Sequence, residues 1–366
     1  MLVIFIALLS VGLLNLCYYS AFFKFAFAPV REIKPAASKP VSVIICAKNE
    51  AENLRKFVPA ILSQDHPDFE VILINDASSD DTLEVIEEFQ QQDSRVKLVN
   101  VQNNEAFWAN KKYALTLGIK KAVNPYLLFT DADCQPESDH WINEMSAHFE
   151  GNRSIVLGYG GYFINKRSLL NKIVRFETLL TAIQYFSYAS WGQPYMGVGR
   201  NMAYTSEEFY KQSGFASHLH IRAGDDDLFV NAAANAQNTA LAYHQSSITR
   251  SVPKKAFKEW FLQKRRHVSI ARHYKKYHQF LLGLFYVSQL LFWILFTLTL
   301  FTTFWKFGLI VLAARLLVQG IVYYNSARKL GETDVFWIFP FLELFLLCAQ
   351  FGIFISNLIS KPTHWK

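Results

Sequence analysis

The sequence has few cysteines, and none of them lies in a pattern that binds metal or forms a disulfide framework. Its 366 residues contain 4 cysteines, and these are far apart in the chain: Cys17, Cys46, Cys134 and Cys348. This usage fits a reducing compartment and excludes a cysteine-rich zinc module or a disulfide-stabilised secreted domain. The chain also lacks an internal repeat and a low-complexity tract.

Charge is nearly absent from long segments at both ends of the chain. Met1–Phe23 is apolar and long enough to cross a hydrocarbon layer of about 30 Å. It has neither a basic leader nor a small-residue cleavage site, so we expect a retained anchor rather than a signal peptide. The three further segments of spanning length are Phe280–Phe304, Phe307–Tyr324 and Val335–Leu358. These four segments predict a multi-pass membrane protein.

Basic residues lie beside the predicted spans rather than within a separate patch. They occupy the linker 24–40, the segment 251–278 and the pair Arg328-Lys329. With four spans all three clusters fall on one side, so the positive-inside rule places the middle domain in the cytoplasm, at the plasma or inner membrane. The clusters account for the net charge of +7 without a nucleic-acid partner. Segment 251–278 also mixes aromatic and basic residues, which predicts an amphipathic helix at the membrane interface.

Two charged residues, Arg315 and Glu343, lie inside the predicted spans. Charges at such depth usually face a bundle interior or a water-filled cavity. We expect a mutual pair, and a purely structural role is as plausible as a functional one. A transporter is disfavoured because the sequence shows no inverted repeat.

The middle of the chain predicts an α/β domain over residues 41–250. The apolar, strand-like runs in it are Val41–Cys46, Glu70–Asn75, Val96–Val101 and Tyr126–Thr130. Helical segments alternate with these runs, which indicates a mostly parallel sheet with helices on both faces. A further apolar stretch, Leu169–Tyr188, is either a buried helix of this domain or a segment that touches the bilayer.

Asp131 and Asp133 follow directly after the strand-like run Tyr126–Thr130. Ligands of open α/β sheets bind beyond the carboxyl ends of the strands, and paired carboxylates suit a hard divalent cation that also contacts phosphates. Two acids after a strand are also typical of a solvated turn or a helix cap. The pair alone therefore leaves a diphosphate site and a plain turn as alternatives.

Several motifs together resemble the family-2 glycosyltransferases with a GT-A fold. The resemblance covers Val41–His273. Within the family, the chain resembles in particular the membrane-integrated branch that includes hyaluronan, cellulose and ceramide-sugar synthases. The motifs that carry it are Ser42–Glu50, Asn75–Asp80, Asn110–Leu115, Asp131–Asp133, Gly197–Tyr204, Gly224–Leu228 and Gln263–His267.

The resemblance implies a nucleotide-sugar donor site in the first half of the domain. Glu50 belongs to the nucleotide-binding turn, Asp76 contacts the nucleobase and Lys111 contacts the nucleotide. Asp131 lies near the ribose and diphosphate, and Asp133 is the metal ligand, with Asp131 as its helper. The implied cofactor is a divalent metal, Mn²⁺ or Mg²⁺.

The resemblance places the transfer chemistry in the second half. Asp226 is the implied general base and Asp227 is the second choice, although acids at this place are also typical of a helix N-terminus. Gly199 and Asn201 belong to the loop implied to face the acceptor.

The implied site departs from the family pattern at two places. In Gln263-Lys-Arg-Arg266-His267, Arg266 is expected to contact the diphosphate, and His267 stands where the family has Trp. Asn110 stands where the family has Gly before the lysine.

These features predict an inverting transferase that moves a sugar, most simply from a UDP-sugar, to a lipid or membrane-linked glycan. A processive synthase that secretes its polymer is the alternative, and the missing Trp makes it less favoured. An inactive GT-A domain acting as a scaffold or sensor is disfavoured because the acidic and basic motif residues are all retained.

Overall fold

A computed structural model describes residues 1–30, 38–102, 111–221 and 223–360. Arg31 and Lys34 of the predicted linker, and Asn110 of the lysine motif, lie outside these residues. The chain divides into two compact units. The helical unit comprises Met1–Pro29, Lys166–Trp191 and the described part of Ala256–Pro362. The sheet unit comprises the described parts of Val30–Asn165 and Gly192–Lys255.

The sheet unit alternates strands with helices along the chain. Its strands are β1 (Val41–Ala47), β2 (Phe69–Asp76), β3 (Val96–Val101), β4 (Tyr126–Asp131), β5 (Cys134–Pro136), β6 (Ile155–Gly158), β7 (Gly160–Tyr162), β8 (Met202–Thr205), β9 (Thr239–Ala242) and β10 (Thr249–Ser251). Its helices are α2 (Ala51–Leu62), α3 (Thr82–Gln92), α4 (Lys111–Lys121), α5 (Trp141–Ala147), α7 (Ser206–Lys211) and α8 (Asp227–Ala233).

The larger sheet has the strand order β3-β2-β1-β4-β8-β6-β9. The four strands predicted from the sequence form its parallel half, because β1 pairs in parallel with β2 and β4, and β2 pairs in parallel with β3. Their runs of Val, Ile and Leu suit strands that are covered on both faces. Strand β8, which the sequence reading missed, runs antiparallel to β4 and β6. The predicted α/β architecture with a mostly parallel sheet is confirmed.

Helix α4 lies close against one face of this sheet. Gly118 on α4 faces Ile74 and Ile44, and a Cβ at this glycine would overlap the Ile74 side chain. The opposite face packs in a cluster that includes Leu54 of α2 and Val85 of α3. The close contact of α4 matters for the site because this helix begins at Lys111.

A smaller sheet with the order β5-β10-β7 follows the larger one. Asp131 is the last residue of β4, and Asp133 lies in the turn that leads to β5, which begins at Cys134. Asp131 and Asp133 are each only partly exposed.

The helical unit contains the long apolar helices. It consists of α1 (Leu2–Ala26), α6 (Leu169–Ser190), α9 (Phe257–Ile270), α10 (Lys276–Leu300), α11 (Trp305–Leu330), α12 (Thr333–Phe336) and α13 (Phe339–Ile359). Four of them, α1, α10, α11 and α13, are long and apolar enough to cross a membrane, so the prediction of one N-terminal and about three C-terminal candidate spans is confirmed. The last of them begins at Phe339 rather than at Val335, because Pro340 occupies its first turn, where a proline starts a helix well.

Helix α6, the apolar stretch left open by the sequence, belongs to the helical unit. Its buried Arg175 donates through Nε to Glu332 Oε2 at 2.7 Å and through a terminal nitrogen to Asp334 Oδ2 at 2.9 Å. Glu332 is fully buried, and both acids lie around the start of α12. This ion-pair cluster attaches α6 to the connection between the last two candidate spans.

A buried polar cluster joins all four candidate spans. Arg315 of α11 forms an ion pair with Glu343 of α13, at 2.7 Å, as expected from their depths in the sequence. The same guanidinium donates to Asn15 of α1 at 2.9 Å, to Gln319 of α11 at 3.1 Å and to Gln289 of α10. All five side chains are at most 3% exposed. The guanidinium therefore has protein acceptors from every candidate span.

We expect Arg315→Met to destabilise the full-length protein strongly, because it leaves the Glu343 carboxylate buried without its cation. Breaking a buried pair from one side typically costs about 3–5 kcal/mol. Thermal unfolding in detergent measures the effect, with exposed Lys306→Met on the same helix as the matched control. The double variant Arg315→Met/Glu343→Leu should recover part of the loss, and equal midpoints for Arg315→Met and the control would contradict the assignment.

Candidate functional site

The polar side chains of the site lie beyond one edge of the parallel sheet. Because β1, β2 and β4 run in the same direction, their carboxyl ends meet at that edge, with Cys46 paired to Asp131 and Ala47 paired to Asn75. A small opening lies there, with Lys111 and Asp131 in its lining. Ligands of parallel α/β sheets bind in this position.

Lys111 connects two acidic segments within this opening. Its Nζ donates to Asp131 Oδ1 at 3.0 Å and lies 3.3 Å from Asp225 Oδ2. Burial alone would lower the pKa of Lys111, but Asp131 and Asp225 outweigh it and hold that pKa well above its ordinary value. The lysine therefore stays charged and provides a fixed positive group at the edge of the sheet.

Asp131 and Asp133 form a donor set suited to a hard divalent cation. Ligand atoms of these two residues and Cys134 lie within 4.8 Å of one another. Burial, with the nearby acids, raises the pKa of the Cys134 thiol well above its ordinary value, and its Sγ lies 3.5 Å from Asp133 Oδ1. A neutral thiol donates rather than ligates, which leaves two carboxylates. Two carboxylates plus substrate phosphates are the usual ligands of Mg²⁺ or Mn²⁺ in such sites.

Arg200 is a charged residue of the site that sequence reasoning missed. Its guanidinium stacks over Tyr162 with its carbon 4.3 Å from the ring centroid, and it donates to the Gly160 carbonyl at 2.9 Å. Burial by itself would lower its pKa, but Tyr162, Asp131 and Asp133 raise it above its ordinary value. In return Arg200 partly offsets the effects of burial and of Asp131, which raise the pKa of Asp133. Its position directly after Gly199 in the glycine-containing motif was the available signal.

Asp76, the predicted nucleobase contact, ends β2 and is 7% exposed. Burial raises its pKa, and Lys48, whose Nζ lies 3.9 Å from Asp76 Oδ2, acts in the opposite direction. The second acid of the same motif, Asp80, accepts hydrogen bonds from the backbone N–H groups of Ala51 at 3.3 Å and Thr82 at 3.1 Å. Asp80 therefore connects the starts of α2 and α3. Of the two acids in this motif, Asp76 is the one that lies near a lysine, Lys48.

Glu50 lies in the turn between β1 and α2. Its backbone N–H donates to Thr82 Oγ1 at 2.9 Å, and its carboxylate accepts from Asn53. The charge of Glu50 also contributes to raising the pKa of Asp133. The structure thus places Glu50 within electrostatic range of the paired aspartates.

Asp226, the predicted base, immediately precedes α8. Its Oδ2 accepts from the Gly199 N–H at 2.7 Å, and its Oδ1 accepts from the Asp227 N–H at 2.8 Å. Burial and the neighbouring Asp225 raise the pKa of Asp226, while the two N–H donors and Lys111 lower it. The capping interpretation is borne out by these contacts, and the roles of Asp226 and Asp227 in catalysis remain predictions.

Gly199 and Asn201 differ in what they contact. Gly199 approaches Asp226 closely, since a Cβ at this position would lie 3.3 Å from Asp226 Oδ2. Asn201 is fully buried, accepts from Trp141 Nε1 at 3.0 Å and donates to the Tyr159 carbonyl at 2.9 Å. This burial leaves Asn201 no surface for an acceptor, so we assign it a structural role instead of the expected one.

Gln263, Arg266 and His267 lie on α9 in the helical unit. Gln263 and Arg266 are partly buried, and His267 is exposed. Phe257, Leu262 and Val268 of the same helix are exposed at 47%, 46% and 41%, which fits the predicted interfacial helix. The contacts of these motif residues with a donor or acceptor remain predictions.

Comparison with known proteins finds a family match over part of the chain, which includes the first eight strands and α6. Residues 42–212 match the family described as Glycosyl transferase family 2. The chain carries a glycosyltransferase family 2 domain. The family resemblance predicted from the motifs is confirmed over these residues.

Curated relatives of this glycosyltransferase domain act in glycan synthesis. The chain is 34% identical over 138 residues to a poly-β-1,6-N-acetyl-D-glucosamine synthase of Staphylococcus epidermidis, covering 37% of this chain and 32% of the relative. It is 30% identical over 129 residues to an Escherichia coli UDP-Glc:α-D-GlcNAc-diphosphoundecaprenol β-1,3-glucosyltransferase, covering 34% of this chain and 47% of the relative. The matched regions thus span less than half of either relative's length.

A solved structure shares the fold over nearly the whole chain. A mannosyltransferase from Pyrobaculum calidifontis, in complex with GDP-Man and Mn²⁺, superposes with a TM-score of 0.61 at 17% identity, covering 98% of this chain and 99% of the other. Together with the family match, this likeness confirms the predicted GT-A fold with additional candidate spans.

We expect Asp226→Asn to destabilise the glycosyltransferase domain. An amide has one acceptor oxygen, so one of the two backbone N–H groups would face an NH₂ group, and an unsatisfied buried donor costs roughly 1–3 kcal/mol. Thermal unfolding should show a midpoint lower by roughly 2–8 °C. Asp81→Asn is the matched control, because exposed Asp81 also precedes a helix but forms no side-chain capping bond. Equal midpoints for the two variants would show that these contacts contribute little.

Proposed function

We propose that this chain is a membrane-bound, inverting glycosyltransferase that transfers a sugar from a nucleotide-sugar donor to a lipid or membrane-linked glycan. The observation that supports it best is the set of charges at the edge of the parallel sheet. There Lys111 lies between Asp131 and Asp225, with Arg200 and Asp133 in the same electrostatic cluster. Such a cluster suits a diphosphate together with a divalent cation.

In the proposed donor complex, Asp76 contacts the nucleobase and Glu50 lies in the turn beside the nucleotide. Asp133 holds the divalent cation with help from Asp131, and that cation would offset the charge of the diphosphate. Lys111 contributes a second positive group in the same place. Fixed charges that face a developing negative charge are usually the largest contribution to catalysis.

Asp226 acts as the proposed general base and removes the proton of the acceptor hydroxyl as that oxygen attacks the anomeric carbon. Its raised pKa favours proton uptake at neutral pH. One base and a direct displacement from the face opposite the leaving diphosphate give inversion. Arg266 is proposed to contact the diphosphate, and Gln263 and His267 to contact the donor or acceptor, on the grounds of the motif resemblance alone.

The names of the relatives support the substrate classes. One acts on a diphosphoundecaprenol-linked sugar with UDP-Glc, and the mannosyltransferase was solved with GDP-Man and Mn²⁺. A UDP-sugar, a divalent metal and a lipid-linked acceptor are proposed here on that basis. The positive-inside pattern supports a cytoplasmic catalytic domain at the plasma or inner membrane.

A processive polysaccharide synthase is the second candidate. The similarity to a poly-N-acetylglucosamine synthase favours it. Against it stands His267, which occupies the place of the aromatic ring that the family resemblance associates with the acceptor platform. An inactive scaffold is disfavoured because Lys111, Asp131 and Asp226 keep the close contacts described above.

We expect the purified full-length protein in nanodiscs to release nucleoside diphosphate from one member of a panel of UDP- and GDP-sugars, and EDTA to stop it. Asp133→Ala and Asp226→Asn should lower turnover by about 100-fold or more, since they remove a metal ligand and a base. Turnover is normalised to the folded fraction, with Asp81→Asn as the control. Metal-independent release would contradict the metal role, and full activity in Asp226→Asn with loss in Asp227→Asn would move the base to Asp227.

We expect membrane lipid extracts incubated with the active donor to yield a discrete glycolipid. Mass spectrometry would show one mass increment of a single sugar, because the proposed reaction is a single transfer. Heat-treated protein is the control. A ladder of regularly spaced masses would instead support the processive synthase.

A further inference from the structure

The residue after Lys111 has a different and unassigned set of contacts. Lys112 is fully buried. Its Nζ donates to three backbone carbonyls, those of His218 at 2.8 Å, Ile221 at 2.8 Å and Ala223 at 2.9 Å. An ammonium group has three N–H donors, which suits three carbonyl acceptors. Lysine is rarely buried unless it is paired in this way.

The three carbonyls belong to one irregular segment between α7 and α8. Among its described residues, only a short turn at Ala216–His218 has regular structure. The segment reaches Gly224, whose φ of +82° favours glycine, and then enters the acidic cluster that precedes α8. With so little secondary structure of its own, the segment depends on other parts of the domain for its conformation.

Two consecutive lysines of α4 therefore hold the same segment in two ways. Lys111 contacts the side chain of Asp225, while Lys112 binds the backbone just before it. Asp226, the next residue, is fixed by the Gly199 N–H. Loss of the Lys112 contacts would free the backbone upstream while the Lys111 contact remained.

We propose that Lys112 is a positioning residue, which fixes the backbone at His218, Ile221 and Ala223 and thereby the place of Asp226 in the site. The catalytic part of this inference rests on the proposed function. The part that concerns the order of the segment rests on the three hydrogen bonds alone. The role is distinct from that of Lys111, which lines the opening itself.

The charge of Lys112 makes this contact sensitive to pH. Burial lowers its pKa to about 8, against the opposing effects of Asp225 and Asp226. Below that pH the ammonium holds three carbonyls. Above it a neutral amine has two N–H groups and a lone pair, which repels the third carbonyl oxygen.

Two charged neighbours of Lys112, His218 and Lys111, have pKa values displaced away from pH 8. Burial, with Lys112 nearby, lowers the pKa of His218 to about 4, and Lys111 has a pKa well above its ordinary value. Asp226 has a raised pKa but is an acid in an acidic cluster, and exposed His220 lies beside His218. The pKa of Lys112 itself lies near 8, so comparison with a variant that keeps its charge isolates the effect of its deprotonation.

Lys112→Met tests the proposal in the full-length protein, with Lys120→Met on the exposed end of the same helix as the control. Hydrogen exchange at pH 7 should be about tenfold or more faster for peptides within 216–224 in Lys112→Met and unchanged in the control, because three hydrogen bonds are lost. Turnover should fall about 10- to 100-fold while the donor KM stays within about threefold, since misplacement affects the reacting geometry.

Lys112→Arg provides the pH test and a second variant should Lys112→Met fold poorly. A guanidinium keeps its charge throughout the accessible range. Wild-type turnover should decline as the pH rises through about 8, and Lys112→Arg should show a lower rate without that decline. Turnover is normalised to the folded fraction at each pH, so that a loss of stability at high pH does not enter the profile.

Different outcomes overturn different parts of the proposal. Unchanged hydrogen exchange in Lys112→Met would show that Lys112 does not hold the segment in place, whatever the activity. Faster exchange with unchanged turnover would overturn the positioning of Asp226. A raised donor KM at unchanged turnover would place Lys112 in donor binding instead. If the wild type uses no nucleotide sugar, the proposed function fails, and the catalytic part of this proposal fails with it. The hydrogen-exchange measurement would still test whether Lys112 holds the segment in place.

Discussion

The site depends on one partly buried lysine ammonium group placed between carboxylates that come from distant parts of the chain. Lys111 Nζ lies 3.0 Å from Asp131 and 3.3 Å from Asp225, at the edge where the parallel strands end. Without a positive group in that position, the acids of the site would repel one another in a partly desolvated environment. The close packing of α4 on the sheet, which Gly118 permits, keeps this lysine at the edge. The position of the lysine is thus a property of the fold as well as of the motif.

The strand ends explain how much of this arrangement was predictable from the sequence. Buried parallel strands are continuous apolar runs, and the polar residue after each run lies at a common edge, so the pattern indicated Asp131 as a candidate. Asp76 follows another such run and was assigned through the family resemblance. Arg200 was missed because it lies before a strand, β8, that is too short to be recognised in the sequence. Strand β8 has four residues and lacks the long apolar run of the central strands. Lys112 was missed because its three partners are backbone carbonyls in an irregular segment, for which a sequence has no pattern.

In the candidate spans, too, the features that follow a sequence pattern were predictable and the individual side-chain contacts were not. Length and hydropathy predicted four candidate spans, and depth predicted the Arg315–Glu343 pair. The partners Asn15, Gln289 and Gln319 were not predictable, because single amides in an apolar helix do not reveal which face they occupy. In the structure they bring protein acceptors to a guanidinium that lipid cannot solvate. The cluster therefore specifies which faces of the four helices meet, and an ion pair alone would leave more than one arrangement possible.

The contacts of Asp226 resolve an apparent conflict between a capping role and a catalytic role. Each carboxylate oxygen accepts one backbone N–H, and a carboxylate oxygen has a second lone pair that remains able to take a proton. The two N–H groups lower the pKa, but burial and Asp225 raise it further, so the net shift is upward. In the proposed mechanism the N–H groups orient the base and the desolvated surroundings preserve its basicity. In that mechanism capping is part of how the proposed base is held in place, because a carboxylate on an irregular segment needs fixed donors to keep one orientation toward an acceptor hydroxyl.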